Sequence, residues 1–158
     1  MSETLAEIYT DGSCHTQHRI GTWVAIIFTG GKKKVLSATI HDTTHNRMEL
    51  TAVIKSIQYL QIHYRHITTI RVFTDSQYVT GLPQRKGKIA LADFKTEKGN
   101  ILQNADLVKI FLKLLSSLSI ELIKIKAHQK KDDTINYNRE ADQLCRRLLR
   151  KAVKEIIE

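Results

Sequence analysis

Three short runs of β-branched and aliphatic residues, at 7–10, 22–28 and 34–40, follow one another near the start of the chain. Asp11-Gly12-Ser13 and Thr29-Gly30-Gly31 separate them and read as turns, so the pattern predicts an antiparallel meander. From Asn46 the period changes. Leu50, Val53, Ile54, Ile57 and Leu60 recur at helical spacing and predict an amphipathic helix. Residues 69–73 return to a strand, after which Thr74-Asp75 can cap a short helical turn through Tyr78 that ends at Gly81-Leu82-Pro83. No period is visible over 84–100. A second helix carries Leu107, Phe111, Leu114, Leu115 and Leu118, and the alternation from Ile120 to Ile125 is a fifth strand. A polar loop over 127–136 precedes the most regular stripe of the chain: Ala141, Leu144, Cys145, Leu148, Leu149, Ala152, Val153 and Ile156. Strand–helix–strand units close as right-handed crossovers with parallel strands, so this order predicts an α/β fold. Its mixed five-stranded sheet has three antiparallel strands, then two parallel ones, flanked by helices.

Composition narrows the class. The 158 residues suit one domain spanning 1–158, and 42% hydrophobic against 26% charged residues is the profile of an ordinary folded chain. Twenty-five Lys and Arg against 16 Asp and Glu give a net charge of +9, which favours an anionic partner. Two cysteines exclude a disulfide framework, and the first residues lack a signal-peptide pattern, so a reducing cytoplasm is the expectation. No apolar run approaches the ~18 residues that would span a bilayer, so no membrane association is expected.

Four carboxylates stand where the element order would bring them together. Asp11 follows the first strand, Glu49 lies in the first turn of the first helix, Asp75 follows the fourth strand and Asp142 lies near the start of the last helix. Ligands of open sheets bind beyond the carboxyl ends of parallel strands. Carboxylates crowded there repel one another unless a cation is present, and Mg²⁺ is suited to oxygen ligands completed by water and substrate phosphate. Each residue also has an ordinary structural reading. Asp11-Gly12 is a common turn dipeptide, Asn46 to Glu49 resembles a capping box, Asp75 can be an N-cap, and Asp142 can pair with Arg146 one turn on. One cation site accounts for all four together.

Tyr9-Thr10-Asp11-Gly12-Ser13-Cys14, Asn46-Arg47-Met48-Glu49-Leu50, Phe73-Thr74-Asp75-Ser76-Gln77-Tyr78-Val79 and Asn138-Arg139-Glu140-Ala141-Asp142 closely resemble, in order and spacing, the successive motifs of type 1 ribonuclease H. The resemblance covers nearly the whole chain. It implies a ribonuclease H-like fold and an endonuclease that hydrolyses the RNA strand of an RNA/DNA hybrid, leaving 5′-phosphate and 3′-hydroxyl ends. It also implies Mg²⁺, or Mn²⁺ in its place, as two ions held with substrate by Asp11, Glu49, Asp75 and Asp142. Lys126-Ala127-His128 looks like the segment bearing the family's mobile histidine, so His128 joins the catalytic set as a proton shuttle or an aid to product release. By position Cys14, Asn46 and Gln77 would line the hybrid's minor groove, where the 2′-hydroxyl is read. Thr44 would grip a phosphate.

The chain also departs from the family pattern. Residues 14–20 replace the Gly/Pro-rich first loop of many members, with Gln17 near its Asn, and His45 stands where an Asn is common. Residues 82–100 have the length of the family's basic protrusion and carry a net charge of +3, so Lys86 and Lys88 are candidates for phosphate contacts. The protrusion's usual tryptophans are missing. Lys124, Lys126, Lys130 and Lys131 flank His128, while Asp132 and Asp133 read as bystanders in a polar turn. Trp23 reads as core. A monomeric, stand-alone enzyme is the expectation. The rivals are a catalytically silent hybrid-binding or docking module of the same fold and a ribonuclease H domain excised from a reverse transcriptase.

Overall fold

A computed structural model describes residues 4–126 and 133–157. The chain forms β1 (Leu5–His15), β2 (Ile20–Thr29), β3 (Lys32–His41), α1 (His45–His63), β4 (Thr69–Thr74), α2 (Gln77–Leu91), α3 (Ala105–Ser117), β5 (Ser119–Lys124) and α4 (Asp133–Ile157). The five strands make one mixed sheet in the order β3-β2-β1-β4-β5. β1 runs antiparallel to β2 and β2 to β3, while β1 pairs parallel with β4 and β4 with β5.

Side chains that alternate along β2 explain why it reads as a continuous apolar run. Trp23, Ala25 and Ile27 enter the larger core, and Val24 and Ile26 enter a second core on the opposite face. The larger core receives Leu50, Val53, Ile57 and Leu60 from α1, Val79, Leu82 and Ile89 from α2, and Val108 and Phe111 from α3. Ala141 and Cys145 of α4 close the other face over Tyr9 and Phe73. Trp23 is core, as its sequence context suggests. At one sheet edge β3 exposes Lys32, Lys33 and Lys34, charges that discourage further strand pairing. Among the described residues no helix is long and apolar enough to cross a membrane.

Three local readings of the sequence are corrected. Asp11-Gly12-Ser13 is not a turn: β1 continues through it, with Asp11 opposite Val24 and Gly12 opposite Trp23. Glycine is required there by α1, because a Cβ on Gly12 would lie 2.4 Å from the Glu49 backbone nitrogen and 2.5 Å from the Met48 carbonyl carbon. The helix after Asp75 does not stop at Gly81-Leu82-Pro83 but runs on to Leu91 with Pro83 inside it. Pro83 removes one backbone donor, a penalty of ~3 kcal/mol in a helix interior. Burial of Val79, Leu82 and Ile89 along one side of α2 offsets it. Finally, α4 opens at Asp133, inside the stretch read as a polar loop.

Candidate active site

The parallel pairing of β1 with β4 ends at Tyr9 opposite Phe73. Two residues further on, in the same register, stand Asp11 and Asp75. Asp11 stays within β1, held by β2, whereas Asp75 lies just past β4. Asp75 is not a helix cap. Ser76 does that work, its side chain accepting from the Val79 amide at 3.1 Å, and Thr74 Oγ1 accepts from the Ser76 amide at 3.0 Å. These local bonds fix the strand-to-helix turn and leave the Asp75 carboxylate available at the sheet edge.

Glu49 is likewise freed from capping. The N-cap of α1 is Thr44, whose Oγ1 accepts from the Arg47 amide at 3.3 Å, so Glu49 falls in the second turn, not the first. Its side chain is 10% exposed and accepts a 2.6 Å hydrogen bond from His45 Nε2 one turn back. That hydrogen bond, followed by the nearby negative charges, raises the His45 pKa above its ordinary value despite the opposing effect of burial. Arg47, between these residues, ties α1 to α3 through a bidentate pair with Asp106 at 2.9 Å and 2.9 Å. The Asp106 carboxyl is held down at about 2 by that hydrogen bond.

Asp142 arrives from the opposite face on α4. It makes the ordinary pair with Arg146 at 3.1 Å, and its carboxylate also acts on Asp11. Asp11, 9% exposed, has its pKa pushed up to about 8, first by burial and then by the charges of Asp75 and Asp142. Asp75 is raised too, again by burial first and then by Glu49 and Asp142. The four carboxylates from β1, α1, the end of β4 and α4 therefore share one electrostatic site. Each of the four acts electrostatically on at least one other, or is acted on by it.

Among the described residues no three His, Cys, Asp or Glu side chains close into a ready-made metal cage. The donor set nonetheless fits a hard divalent cation. Mg²⁺ is held by one or two carboxylates with water and phosphate oxygens, not by an all-protein cage. The proton that the raised Asp11 carboxyl retains is what such a cation would displace. The sign for stability follows. Asp11 titrates near 3.8 when unfolded and about 8 when folded, so the folded state binds the extra proton between these values. Without divalent cation, stability should fall as pH rises from about 4 to about 8. Saturating Mg²⁺ should flatten that slope, and thermal melts across this pH range with and without the ion measure it.

The other candidates are placed less tightly. Cys14 Sγ lies 3.4 Å from the Thr43 carbonyl oxygen, Asn46 is half-buried in the first turn of α1, and Gln77 is exposed at the start of α2. Lys86 Nζ donates to Ser116 Oγ at 2.6 Å, which ties α2 to α3, and Lys88 borders a groove with Arg85 and Lys95. His128, Lys130, Lys131 and Asp132 lie outside the described residues.

Sequence reasoning treats His45 only as a departure from a pattern and misses its grip on Glu49, although the i, i+4 spacing on α1 is the available signal. Partners that orient a ligand typically control 10–100-fold in metal affinity. His45→Ala is therefore expected to raise the Mg²⁺ concentration for half-maximal metal binding ~10-fold, read by calorimetric titration of the protein alone.

Fold and edge cluster together define an α/β protein with a cation-compatible carboxylate site at the ends of parallel strands. Comparison with known proteins is more specific: the family model for RNase H matches residues 3–150. The chain belongs to the RNase H family. It is 32% identical over 151 residues to the Ribonuclease H of Caldicellulosiruptor saccharolyticus, covering 94% of this chain and 96% of that protein. Against the Ribonuclease H of Anaplasma marginale it is 36% identical over 148 residues, covering 92% and 91%. Among solved structures it is similar to a type 1 RNase H with the type 2 active-site motif, at a TM-score of 0.74 and 20% identity, covering 91% of this chain and 71% of that one. It is also similar to a foamy viral protease-reverse transcriptase in complex with dsDNA, with a TM-score of 0.68, 20% identity and coverage of 89% and 90%. These two likenesses concern the fold.

Proposed function

We propose that this chain is a divalent-metal-dependent endoribonuclease that hydrolyses the RNA strand of RNA/DNA hybrids. Membership of the RNase H family supports a nuclease acting on such hybrids. The observation that carries the finer reading is the electrostatic coupling of Asp11, Asp75 and Asp142 at the end of the parallel β1–β4 pair. The net charge of +9 suits a polyanionic substrate.

In this reading Asp11, Glu49, Asp75 and Asp142 hold two divalent cations, Mg²⁺ or Mn²⁺, once substrate is bound. The chemistry these supply is activation of water and stabilisation of the departing oxygen in phosphodiester cleavage. The water oxygen bonds to phosphorus, the bond from phosphorus to the 3′ oxygen breaks, and the proton released by water ends on that oxygen. A 5′-phosphate and a 3′-hydroxyl result. His45 orients the Glu49 carboxylate, and His128 accepts and releases a proton near neutral pH. Cys14, Asn46 and Gln77 face the minor groove and its 2′-hydroxyls. Thr44 Oγ1 uses a lone pair in capping α1, so its O–H remains able to donate to a phosphate. Lys86 and Lys88 add sequence-independent phosphate contacts. We further infer one RNase H domain acting as a monomer in a reducing cytoplasm, a setting that suits the free thiols of Cys14 and Cys145.

End-group analysis tests the chemistry. RNA fragments cut from a hybrid should be extended directly by a polymerase, and their 5′ ends should accept new phosphate from a kinase only after phosphatase treatment. Fragments ending in 3′-phosphate or cyclic phosphate would contradict the proposed attack.

A further inference from the structure

Thr22 is the polar exception within an apolar stretch of β2. It is 0% exposed and shares its side of the strand with Val24 and Ile26, which pack into the smaller core beneath α4. A buried hydroxyl is costly unless it is hydrogen-bonded, and this one bonds to a residue of α4. Thr22 Oγ1 donates to the Cys145 carbonyl oxygen at 2.9 Å and lies 3.1 Å from Cys145 Sγ. With its one proton committed to the carbonyl, the hydroxyl accepts from the thiol. Cys145 Sγ also lies 3.4 Å from the Thr22 carbonyl oxygen. The thiol keeps its proton, because burial pushes its pKa up to about 12 and the charges of Asp11 and Asp142 act in the same direction.

This pair lies between two of the site carboxylates. In the β1–β2 register Thr22 stands opposite Ser13 and Asp11 opposite Val24, so Thr22 is diagonal to Asp11 on the face that α4 covers. Cys145 follows Asp142 by three residues, one turn along the same side of the helix. The Thr22–Cys145 contact therefore joins the strand pair that holds Asp11 to the helical turn that carries Asp142. Neighbouring ties are less exacting. Ala141 makes an apolar contact without directional preference, and the Lys33–Glu140 ion pair, with side chains 40% and 45% exposed, contributes little. Hydrogen bonds constrain both distance and angle.

We propose that Thr22 and Cys145 are positioning residues that set the register of α4 on the sheet and thereby place Asp142 relative to Asp11. They touch neither substrate nor metal and act through Asp142. The inference deepens the nuclease reading above and rests on it. A misplacement of ~1 Å at a reacting centre can cost ~10²-fold in rate, so even a small shift of α4 is consequential.

The test uses Thr22→Val, which keeps the branched shape but removes the hydroxyl, and Thr22→Ser, which keeps the hydroxyl. Mg²⁺ affinity of the protein alone is read by calorimetric titration and hybrid cleavage by steady-state kinetics, at a temperature where melts show each variant folded. Partners that orient a ligand control ~10–100-fold in metal affinity, and for this more remote pair Thr22→Val should bind Mg²⁺ about 3–10-fold more weakly. kcat should fall by a similar factor while the KM for hybrid stays within about twofold, a split that loss of folded protein does not produce. Thr22→Ser should return both affinity and kcat to within about twofold of wild type. In an Asp142→Asn background Thr22→Val should lower Mg²⁺ affinity no further, because residues that act through one group are non-additive. Should Thr22→Val not fold, Cys145→Ala removes the thiol alone and should weaken Mg²⁺ binding about 2–3-fold with the same dependence on Asp142. Wild-type Mg²⁺ affinity in Thr22→Val, no rescue by Thr22→Ser, or effects that add in the Asp142→Asn background would overturn the positioning role while leaving the nuclease reading intact. A wild-type chain that shows this pattern in Mg²⁺ binding but cuts no hybrid would overturn the nuclease reading instead, and one that binds no Mg²⁺ would overturn both.

Discussion

Replacing Asp11 by Asn is expected to reduce hybrid cleavage by ~10³-fold or more while leaving hybrid affinity within a few-fold of wild type. The magnitude is that of losing one preorganised charge at the reacting centre. Binding should survive, because the phosphate contacts of the proposed reading lie elsewhere, on Lys86 and Lys88. The same substitution carries a second signature that a merely structural residue would not show. Asp11 is the carboxyl pushed up to about 8 by burial and by Asp75 and Asp142. The amide has no charge to desolvate, so the metal-free variant should be more stable than wild type near pH 8 and should lose most of the decline in stability between about pH 4 and 8. Single-turnover cleavage, anisotropy in EDTA and thermal melts at several pH values read these together. Unchanged cleavage would remove Asp11 from the site.

Gly12→Ala should be the most damaging substitution outside the carboxylates. Its Cβ would meet the Glu49 nitrogen at 2.4 Å, the Met48 carbonyl carbon at 2.5 Å and the Glu49 Cα at 2.9 Å, all of them backbone atoms. A flexible side chain could rotate away from such a clash, whereas here β1 or α1 must move. Overpacking of this kind costs ~1–3 kcal/mol and more where the neighbours cannot relax. We expect a loss of about 3 kcal/mol or more in denaturant unfolding. Activity should fall further than stability alone requires, because the displaced helix carries Glu49 while Asp11 adjoins the substituted residue. Gly87→Ala is the control, since nothing lies within 4 Å of a Cβ there.

The period of the apolar residues made most elements legible. Leu50, Val53, Ile57 and Leu60 in α1 and Ala141, Leu144, Cys145 and Leu148 in α4 repeat as helices must when one side faces a sheet. Legibility failed where tertiary contact overrides a local signal. Asp11-Gly12 has the composition of a turn, yet its glycine serves the approach of a helix more than thirty residues away in sequence. Pro83 is a strong local stop, yet α2 is held across it by Val79, Leu82 and Ile89 in the core. Asn46 to Glu49 has the composition of a capping box, but the cap moves to Thr44, a shift of two residues that turns Glu49 from a cap partner into a site carboxylate. All four carboxylates were legible as candidates, because each falls in a motif carried by a readable element, although only Asp75 stands at an element's end. Their mutual coupling was not, since it depends on where the sheet order places β1 and β4 and on how α4 crosses the opposite face. The His45 hydrogen bond to Glu49 was written in plain i, i+4 spacing, a signal that motif-centred reading passes over.

In the proposed function, four carboxylates hold the divalent metal with which the chain hydrolyses RNA only when it is paired to DNA. The most direct test of this uses one labelled RNA strand, single-stranded, annealed to RNA or annealed to DNA, incubated with the chain in Mg²⁺ and in EDTA. The account predicts cutting of the RNA in the hybrid alone, and only with the metal. Equal cutting of the RNA duplex, or cutting that persists in EDTA, would contradict it.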